Sequence, residues 1–148
     1  YQGRQILLDG AHNPDGAQSL REAILAQYSG REIALVLGLF KDKAWQRICQ
    51  ILIPLAHKVY LTPVESERSA NPTEVENFCR QLSPNAEINS YESLPDALNA
   101  ALANNFVVVA GSLHLVGEAM EALGVSPFTR SERSLNEWNA VRPAQEKS

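Results

Sequence analysis

The stretch LLDGAHNPDGAQSL, residues 7–20, places the polar residues Asp9, His12 and Asn13 between an apolar segment and a helical pattern. Asn13 followed by Pro14 predicts a helix start, as does Asn71 followed by Pro72, because an asparagine side chain caps free backbone N–H groups and proline fits the first helical turn. An apolar strand, a polar turn and a capped helix form the first part of a strand–helix–strand unit. The stretch therefore predicts an α/β fold with polar residues at a strand end.

The alternation of strand and helix continues along the chain. Apolar runs that predict strands lie at residues 5–8, 33–37, 59–61, 86–88 and 106–110. The runs at 33–37 and 106–110 contain no polar residue, as expected of strands covered on both faces. We therefore predict a Rossmann-like three-layer α/β domain with a mostly parallel sheet of five or six strands. It occupies residues 1–125, and residues 126–148 form a polar C-terminal tail.

The overall composition excludes several classes of partner. The 148 residues carry a formal net charge of -4, so no basic surface is expected to attract a nucleic-acid backbone. No apolar run is long enough to span a bilayer, and the first residues lack a signal-peptide pattern. Cys49 and Cys79 are predicted to be free buried thiols. We therefore expect a cytoplasmic protein with no nucleic-acid partner and no membrane partner.

Three polar loops that contain glycine follow predicted strands: DGAHNPDG, GLFKDK and GSLHLVG. Because the carboxyl ends of parallel strands lie at one edge of a sheet, we expect these loops to share one ligand site. Asp9 is suited to accept hydrogen bonds from ribose hydroxyls and His12 to position a phosphate; equally, both would cap the backbone of a tight turn. Lys43 is suited to hold a carboxylate or phosphate, or to lie in solvent.

The third loop puts Ser112 at a turn from strand to helix, where backbone N–H groups favour anions. Ser112 is not predicted to be a nucleophile, because the G-x-S-x-G pattern is absent, and His114 is expected to be a packing or surface residue. The sequence also lacks a G-x-G-x-x-G fingerprint, a P-loop and the ligand spacing of a zinc centre. The predicted edge is therefore half of a nucleotide site.

The chain starts at Tyr1, and its only methionine is Met120. Together with the half site, this start leads us to expect a processed chain or a piece of a longer protein whose remaining site residues lie on another domain. If the chain instead stands alone, a Rossmann-like small-molecule binding module is expected.

Three segments in order, LLDGAHNPDG, VLGLFKDKAW and VVVAGSLHLVGE, resemble the C-terminal domain of folylpolyglutamate synthases. These enzymes are often bifunctional with dihydrofolate synthase and belong to the Mur ligase superfamily of ATP-dependent amide ligases. The resemblance covers roughly residues 4–124. It implies that ATP activates a folate carboxylate as an acyl phosphate, which the amino group of L-glutamate attacks. It also implies, as a partner, an upstream ATPase domain of the same polypeptide that makes most of the contacts to Mg²⁺.

The resemblance implies roles for four residues. Asp9 corresponds to an aspartate that contacts ATP, through the ribose, and His12 to the histidine needed for catalytic geometry. Lys43 and Ser112 correspond to positions that help to hold the incoming glutamate. No metal ligand is implied in this chain, and the isolated chain is expected to be inactive. An alternative within the superfamily is the C-terminal domain of a peptidoglycan Mur ligase.

Overall fold

A computed structural model describes residues 1–125, in which five strands and five α-helices alternate. In chain order they are β1 (Gln5–Leu8), α1 (Pro14–Gln27), β2 (Ala34–Leu37), α2 (Trp45–Leu52), β3 (Lys58–Leu61), α3 (Pro72–Leu82), β4 (Glu87–Ser90), α4 (Leu94–Ala101), β5 (Phe106–Ala110) and α5 (Leu113–Ala122). None of these helices is long and apolar enough to cross a membrane. The predicted tail, residues 126–148, lies outside the described residues.

The sheet is parallel throughout, with the strand order β1-β5-β2-β3-β4. β5 lies between β1 and β2, so Val108 is paired with Leu7 on one side and with Leu35 on the other. The predicted Rossmann-like parallel sheet is confirmed, with five strands in the described part of the chain. The weak strand pattern at 86–88 corresponds to the edge strand β4, which extends to Ser90.

Helices cover both faces of the sheet, as the apolar strands predicted. One core cluster joins buried residues of α1, α2 and α3, such as Leu20 and Ile48, to strand residues such as Val108. The other joins α4 and α5, through residues such as Leu98, to strand residues such as Val107. Val107 and Val108 belong to different clusters because successive side chains of a strand point to opposite faces. The domain therefore has three layers.

The two Asn-Pro helix starts have the predicted caps. Asn13 Oδ1 accepts a hydrogen bond from the backbone N–H of Gly16 at 2.7 Å, and Asn71 Oδ1 accepts one from Thr73 at 2.9 Å. Losing such a cap costs about 1 kcal/mol of stability. With the cap at Asn13, only five residues separate β1 from α1, which keeps the polar turn short and close to the sheet.

The cysteines are free and buried, as predicted. Cys49 on α2 and Cys79 on α3 are in contact, with their Sγ atoms 3.8 Å apart. The hydrogen bond between Cys49 and Cys79, together with burial, raises the pKa of the Cys49 thiol, so this thiol stays protonated at neutral pH. The pair contributes to the packing of α2 against α3.

Two glycines bring the loops after β2 and β5 into contact. Gly111, directly after β5, has a φ of +119°, and a Cβ at this position would lie 2.0 Å from the carbonyl oxygen of Gly38. The backbone N–H of Gly38 donates to the carbonyl of Ala110 at 3.3 Å. Because Gly111 has no side chain, the two backbones touch at the carboxyl edge of the sheet.

We expect Gly111→Ala to lower the free energy of unfolding by more than about 2 kcal/mol, because the methyl group adds a backbone clash to an unfavourable φ. Urea unfolding of the chain measures this loss. Gly30→Ala is the matched control, since Gly30 also has a positive φ, +82°, but no atom lies within 4 Å of the position that its methyl group would take. The control should lose only about 1 kcal/mol. Equal losses in the two variants would contradict a role for the contact with Gly38.

Candidate functional site

The turn after β1 is fixed by hydrogen bonds from and to Asp9. The backbone N–H of Asp9 donates to the carbonyl of Val109 at 3.0 Å, so pairing with β5 continues past the end of β1. The carboxylate oxygen Oδ1 of Asp9 accepts from the backbone N–H of Ala11 at 2.8 Å. The backbone-capping role that the sequence left open for Asp9 is therefore present. Oδ2 is the carboxylate oxygen that this turn does not use.

His12 is oriented by the same turn. Its Nδ1 lies 2.9 Å from the carbonyl oxygen of Gly10. Because a carbonyl only accepts hydrogen bonds, Nδ1 carries the proton and Nε2 is the acceptor in the neutral ring. The turn thus presents a half-buried imidazole with one nitrogen able to bind a ligand donor.

The loop that follows β2 is joined to the loop that follows β3. Phe40 forms an isolated antiparallel bridge with Ser69, and the backbone N–H of Lys41 donates to the carbonyl of Arg68 at 2.7 Å. The guanidinium of Arg68 lies 4.5 Å from the centre of the Phe40 ring. It also binds both carboxylate oxygens of Asp42, from Nε at 3.0 Å and from Nη2 at 3.2 Å. These contacts hold the loop that carries Lys43 against the loop after β3.

Ser112 is fully buried in the turn between β5 and α5. Its Oγ accepts a hydrogen bond from the backbone N–H of Leu115 at 2.9 Å and so caps α5. The neighbouring N–H of Gly111 donates to the carbonyl of Ala11 at 3.0 Å, which ties this turn to the loop after β1. A hydroxyl that accepts from the backbone still has its own O–H to donate.

A cavity of about 180 Å³ lies where these loops meet. Its lining contains His12, Lys43 and Ser112, so three of the four predicted site residues share one cavity. Asp9 is not among the lining residues. The lining also contains Phe40, Arg68, Leu113 and His114. Two larger cavities, of about 420 Å³ and 400 Å³, are lined by residues at the amino ends of β2, β3, β4 and β5, on the opposite side of the domain.

Two of these lining residues, Arg68 and His114, were not predicted as site residues. Arg68 lies in the polar loop after β3, and the rule that ligands bind at the carboxyl ends of strands would have included that loop. His114 was expected to be a packing or surface residue. Its Nε2 lies 3.1 Å from Oε1 of Glu118, one turn further along α5. The spacing of four residues between His114 and Glu118 was the signal that could have identified it.

Charged groups of both signs lie around the cavity. Arg68 is paired with Asp42 and Glu118 lies against His114, so Lys43 is the lining cation that is in no ion pair among the described residues. Within residues 1–125, no group of three or more His, Cys, Asp or Glu side chains is arranged to hold a metal ion. The residues present therefore fit carboxylate or phosphate groups, and the described part of the chain offers no set of Mg²⁺ ligands.

The family model of the Mur ligase glutamate ligase domain matches residues 1–113, which include all five strands and the loops around the cavity. The chain belongs to this family. The three segments that suggested the resemblance contain every lining residue of this cavity except Arg68. Sequence motif and site geometry therefore coincide at the same edge of the sheet.

Relatives of this glutamate ligase domain include named folate enzymes. The chain is 32% identical over 119 residues to the folylpolyglutamate synthase of Lacticaseibacillus casei, covering 80% of this chain and 27% of that protein. The crystal structure of a folylpolyglutamate synthase from Thermotoga maritima matches 88% of this chain and 30% of its own, with a TM-score of 0.75 and 29% identity. The structure of Escherichia coli FolC in complex with DHPP and ADP matches 80% of this chain and 28% of its own, with a TM-score of 0.72 and 27% identity.

The chain thus spans less than a third of the length of these relatives. The comparisons thus assign the glutamate ligase domain family and its fold to this chain.

The ion pair between Asp42 and Arg68 gives a pH-dependent signature. The hydrogen bonds that Arg68 donates hold the pKa of the Asp42 carboxyl below its ordinary value of 3.8. Because the charged form is the one stabilised, the contribution of the pair is present above pH 3.8 and is lost as the pH falls through the lowered pKa. We expect an NMR titration of the Asp42 carboxyl carbon to have its midpoint below 3.8.

In the variant Arg68→Gln the midpoint for Asp42 should rise, since the donating cation is gone. Arg80→Gln, which removes an arginine paired with Glu76 on α3, is the matched control and should leave the Asp42 midpoint unchanged. An Asp42 midpoint that does not change in the variant would show that the pair is not formed in solution.

Proposed function

We propose that this chain is the C-terminal domain of an ATP-dependent folylpolyglutamate synthase, a carboxylate–amine ligase that adds L-glutamate to folate. The observation that carries the proposal is the convergence of His12, Lys43 and Ser112, from three separate loops of the family, on one cavity beside a second cation, Arg68. The names of the relatives supply the folate substrate.

The chemistry of the reaction matches the charges at this edge. Glutamate arrives with two carboxylates, and Lys43 is suited to attract one of them as a point charge. The O–H of Ser112, which the helix cap does not use, is suited to donate to the same substrate. Glutamate can then be held with its amino group towards the activated folate carboxylate, and holding two reactants in this way lowers the barrier to amide formation.

The nucleotide contacts are assigned to the turn after β1. Oδ2 of Asp9 is suited to accept a hydrogen bond from a ribose hydroxyl of ATP, while Oδ1 keeps the turn in shape. His12 is oriented by the carbonyl of Gly10 and fixes the catalytic geometry next to the nucleotide. ATP, bound with Mg²⁺ mainly by an upstream ATPase domain of the same polypeptide, supplies the activation of the folate carboxylate. This chain therefore provides the part of the site that closes over that domain.

The full-length enzyme tests the proposal directly. Release of ADP is measured with ATP and L-glutamate in the presence of folate, and then with a UDP-linked peptidoglycan precursor in place of folate. Turnover that depends on folate supports the proposal, and turnover only with the UDP-linked precursor would assign the domain to a peptidoglycan Mur ligase instead. An acceptor that lacks the first glutamate, tested in parallel, shows whether the enzyme also makes dihydrofolate.

Isothermal titration of the isolated chain separates the proposal from a stand-alone binding module. A half site should bind ATP and glutamate only weakly, because the remaining contacts come from the partner domain. Tight binding of either ligand by residues 1–148 alone would favour the module.

We expect Asp9→Asn in the full-length enzyme to lower kcat/KM for ATP by about 10-fold to 100-fold, since a charged acceptor for a hydroxyl contributes about 1.5–3 kcal/mol. Asparagine keeps an oxygen that can accept from Ala11, so the turn is preserved. Steady-state kinetics with varied ATP measures the effect. Asp96→Asn, in the first turn of α4, the helix that follows the edge strand β4, is the matched control and should retain wild-type kinetics. Wild-type kinetics in Asp9→Asn would remove Asp9 from the nucleotide site.

A further inference from the structure

We infer that His114 is the general base of the ligation, the group that takes a proton from the incoming amino group before that group attacks the activated carboxylate. The inference rests on the proposed ligase function and goes beyond it, because neither the sequence patterns nor the resemblance gave His114 a role. It follows from the position of the ring, the carboxylate behind it and the contrast with His12.

The ring of His114 is accessible from the cavity in which we place glutamate. It lines this cavity together with Lys43 and Ser112, and 45% of its side-chain surface is exposed. His114 is the second residue of α5, directly after the buried turn that contains Ser112. A substrate held by Lys43 and Ser112 would therefore lie next to this imidazole.

A carboxylate orients the ring of His114. Nε2 of His114 lies 3.1 Å from Oε1 of Glu118, whose side chain is only 13% exposed. The same oxygen accepts a hydrogen bond from the backbone N–H of Glu65, on the loop after β3, at 3.1 Å. Contacts from two elements fix Glu118, so the orientation of the imidazole is fixed as well.

This arrangement determines which nitrogen is basic. An ionised carboxylate only accepts hydrogen bonds, so Nε2 of His114 carries the proton and Nδ1 has the lone pair. When Nδ1 takes up a proton, the ring becomes an imidazolium cation beside the Glu118 carboxylate. A carboxylate that orients a histidine and stabilises its protonated form is the arrangement found behind catalytic histidines.

The other imidazole at the cavity has a weaker partner. His12 donates from Nδ1 to the neutral carbonyl of Gly10, which stabilises a protonated ring less than a carboxylate does. Lys43 and Arg68 are cations and have no lone pair to accept a proton. Among the residues that line this cavity, His114 therefore has the environment that best supports proton uptake.

The proton transfer balances the reaction. At neutral pH the amino group of an amino acid is an ammonium ion and has no lone pair for attack. One N–H bond of the ammonium breaks and the bond Nδ1–H forms, and the freed lone pair then forms the C–N bond as phosphate leaves. The second proton of the amine departs with the phosphate, and the imidazolium returns its proton to solvent.

The test compares two nucleophiles in the full-length enzyme carrying His114→Gln. Glutamine can still donate to Glu118 but cannot take up a proton at neutral pH. We expect kcat with L-glutamate to fall about 100-fold or more, the usual contribution of a general base. Hydroxylamine is uncharged at neutral pH and needs no base, so its rate of hydroxamate formation from the activated folate should be unchanged.

Two further variants test the assignment. In His114→Ala the ring is removed, and added imidazole should restore part of the rate with glutamate. His57→Gln is the matched control, because His57 lies directly before β3, at the amino ends of the strands and away from the cavity. Its Nδ1 lies 3.4 Å from the backbone N of Ile33. This control should keep wild-type rates with both nucleophiles.

The outcomes are distinguishable from a failure of the proposed function. A wild-type rate with glutamate in His114→Gln, or an equal loss with both nucleophiles, would overturn the role of His114 while the ligase activity of the wild-type enzyme stands. If the wild-type enzyme gives neither the glutamate product nor the hydroxamate, the proposed function itself fails, and this inference fails with it.

Discussion

The backbone contact between Gly38 and Gly111 is the constraint on which the site depends. β5 is the last strand of the described residues, yet it lies between β1 and β2, so its final turn has neighbours on both sides. A side chain at Gly111 would meet the carbonyl of Gly38, and without one the turn also reaches the carbonyl of Ala11. The loops after β1, β5 and β2 are thereby held side by side, and every group assigned to ligand binding lies on one of them or next to them.

The charges at this edge are arranged in pairs. Arg68 binds Asp42 and stacks on Phe40, which joins the loops after β2 and β3, while Glu118 lies against His114 and joins α5 to the loop after β3. Each carboxylate beside the cavity thus has a partner. The ammonium of Lys43 is in no ion pair among the described residues, and we propose that it attracts a carboxylate of the substrate.

Under the proposed function, the site is divided between two domains. This edge would contribute Asp9 as an acceptor for a ribose, the oriented imidazole of His12, and the cavity beside Lys43 for a small dicarboxylate. The sequence has no P-loop, and the part of the chain that the structure describes has no cluster of metal ligands. In the proposed enzyme, the upstream domain supplies these groups and this glutamate ligase domain completes the site.

Local sequence patterns by themselves determined the α/β class, both Asn-Pro helix starts and the strands that are apolar throughout, because these features depend on residues close in sequence. The edge strand β4 gave a weak pattern, since only Ile88 of its four residues is buried. Motifs adjacent to strands also identified His12, Lys43 and Ser112, whose roles stay predictions. The tertiary structure decided the rest: the place of β5 in the sheet, the pairing of Asp42 with Arg68 and the contact of Glu118 with Glu65. Asp42 and Arg68 are 26 residues apart and Glu65 and Glu118 are 53 apart, and only the packing of distant strands brings them within hydrogen-bond distance.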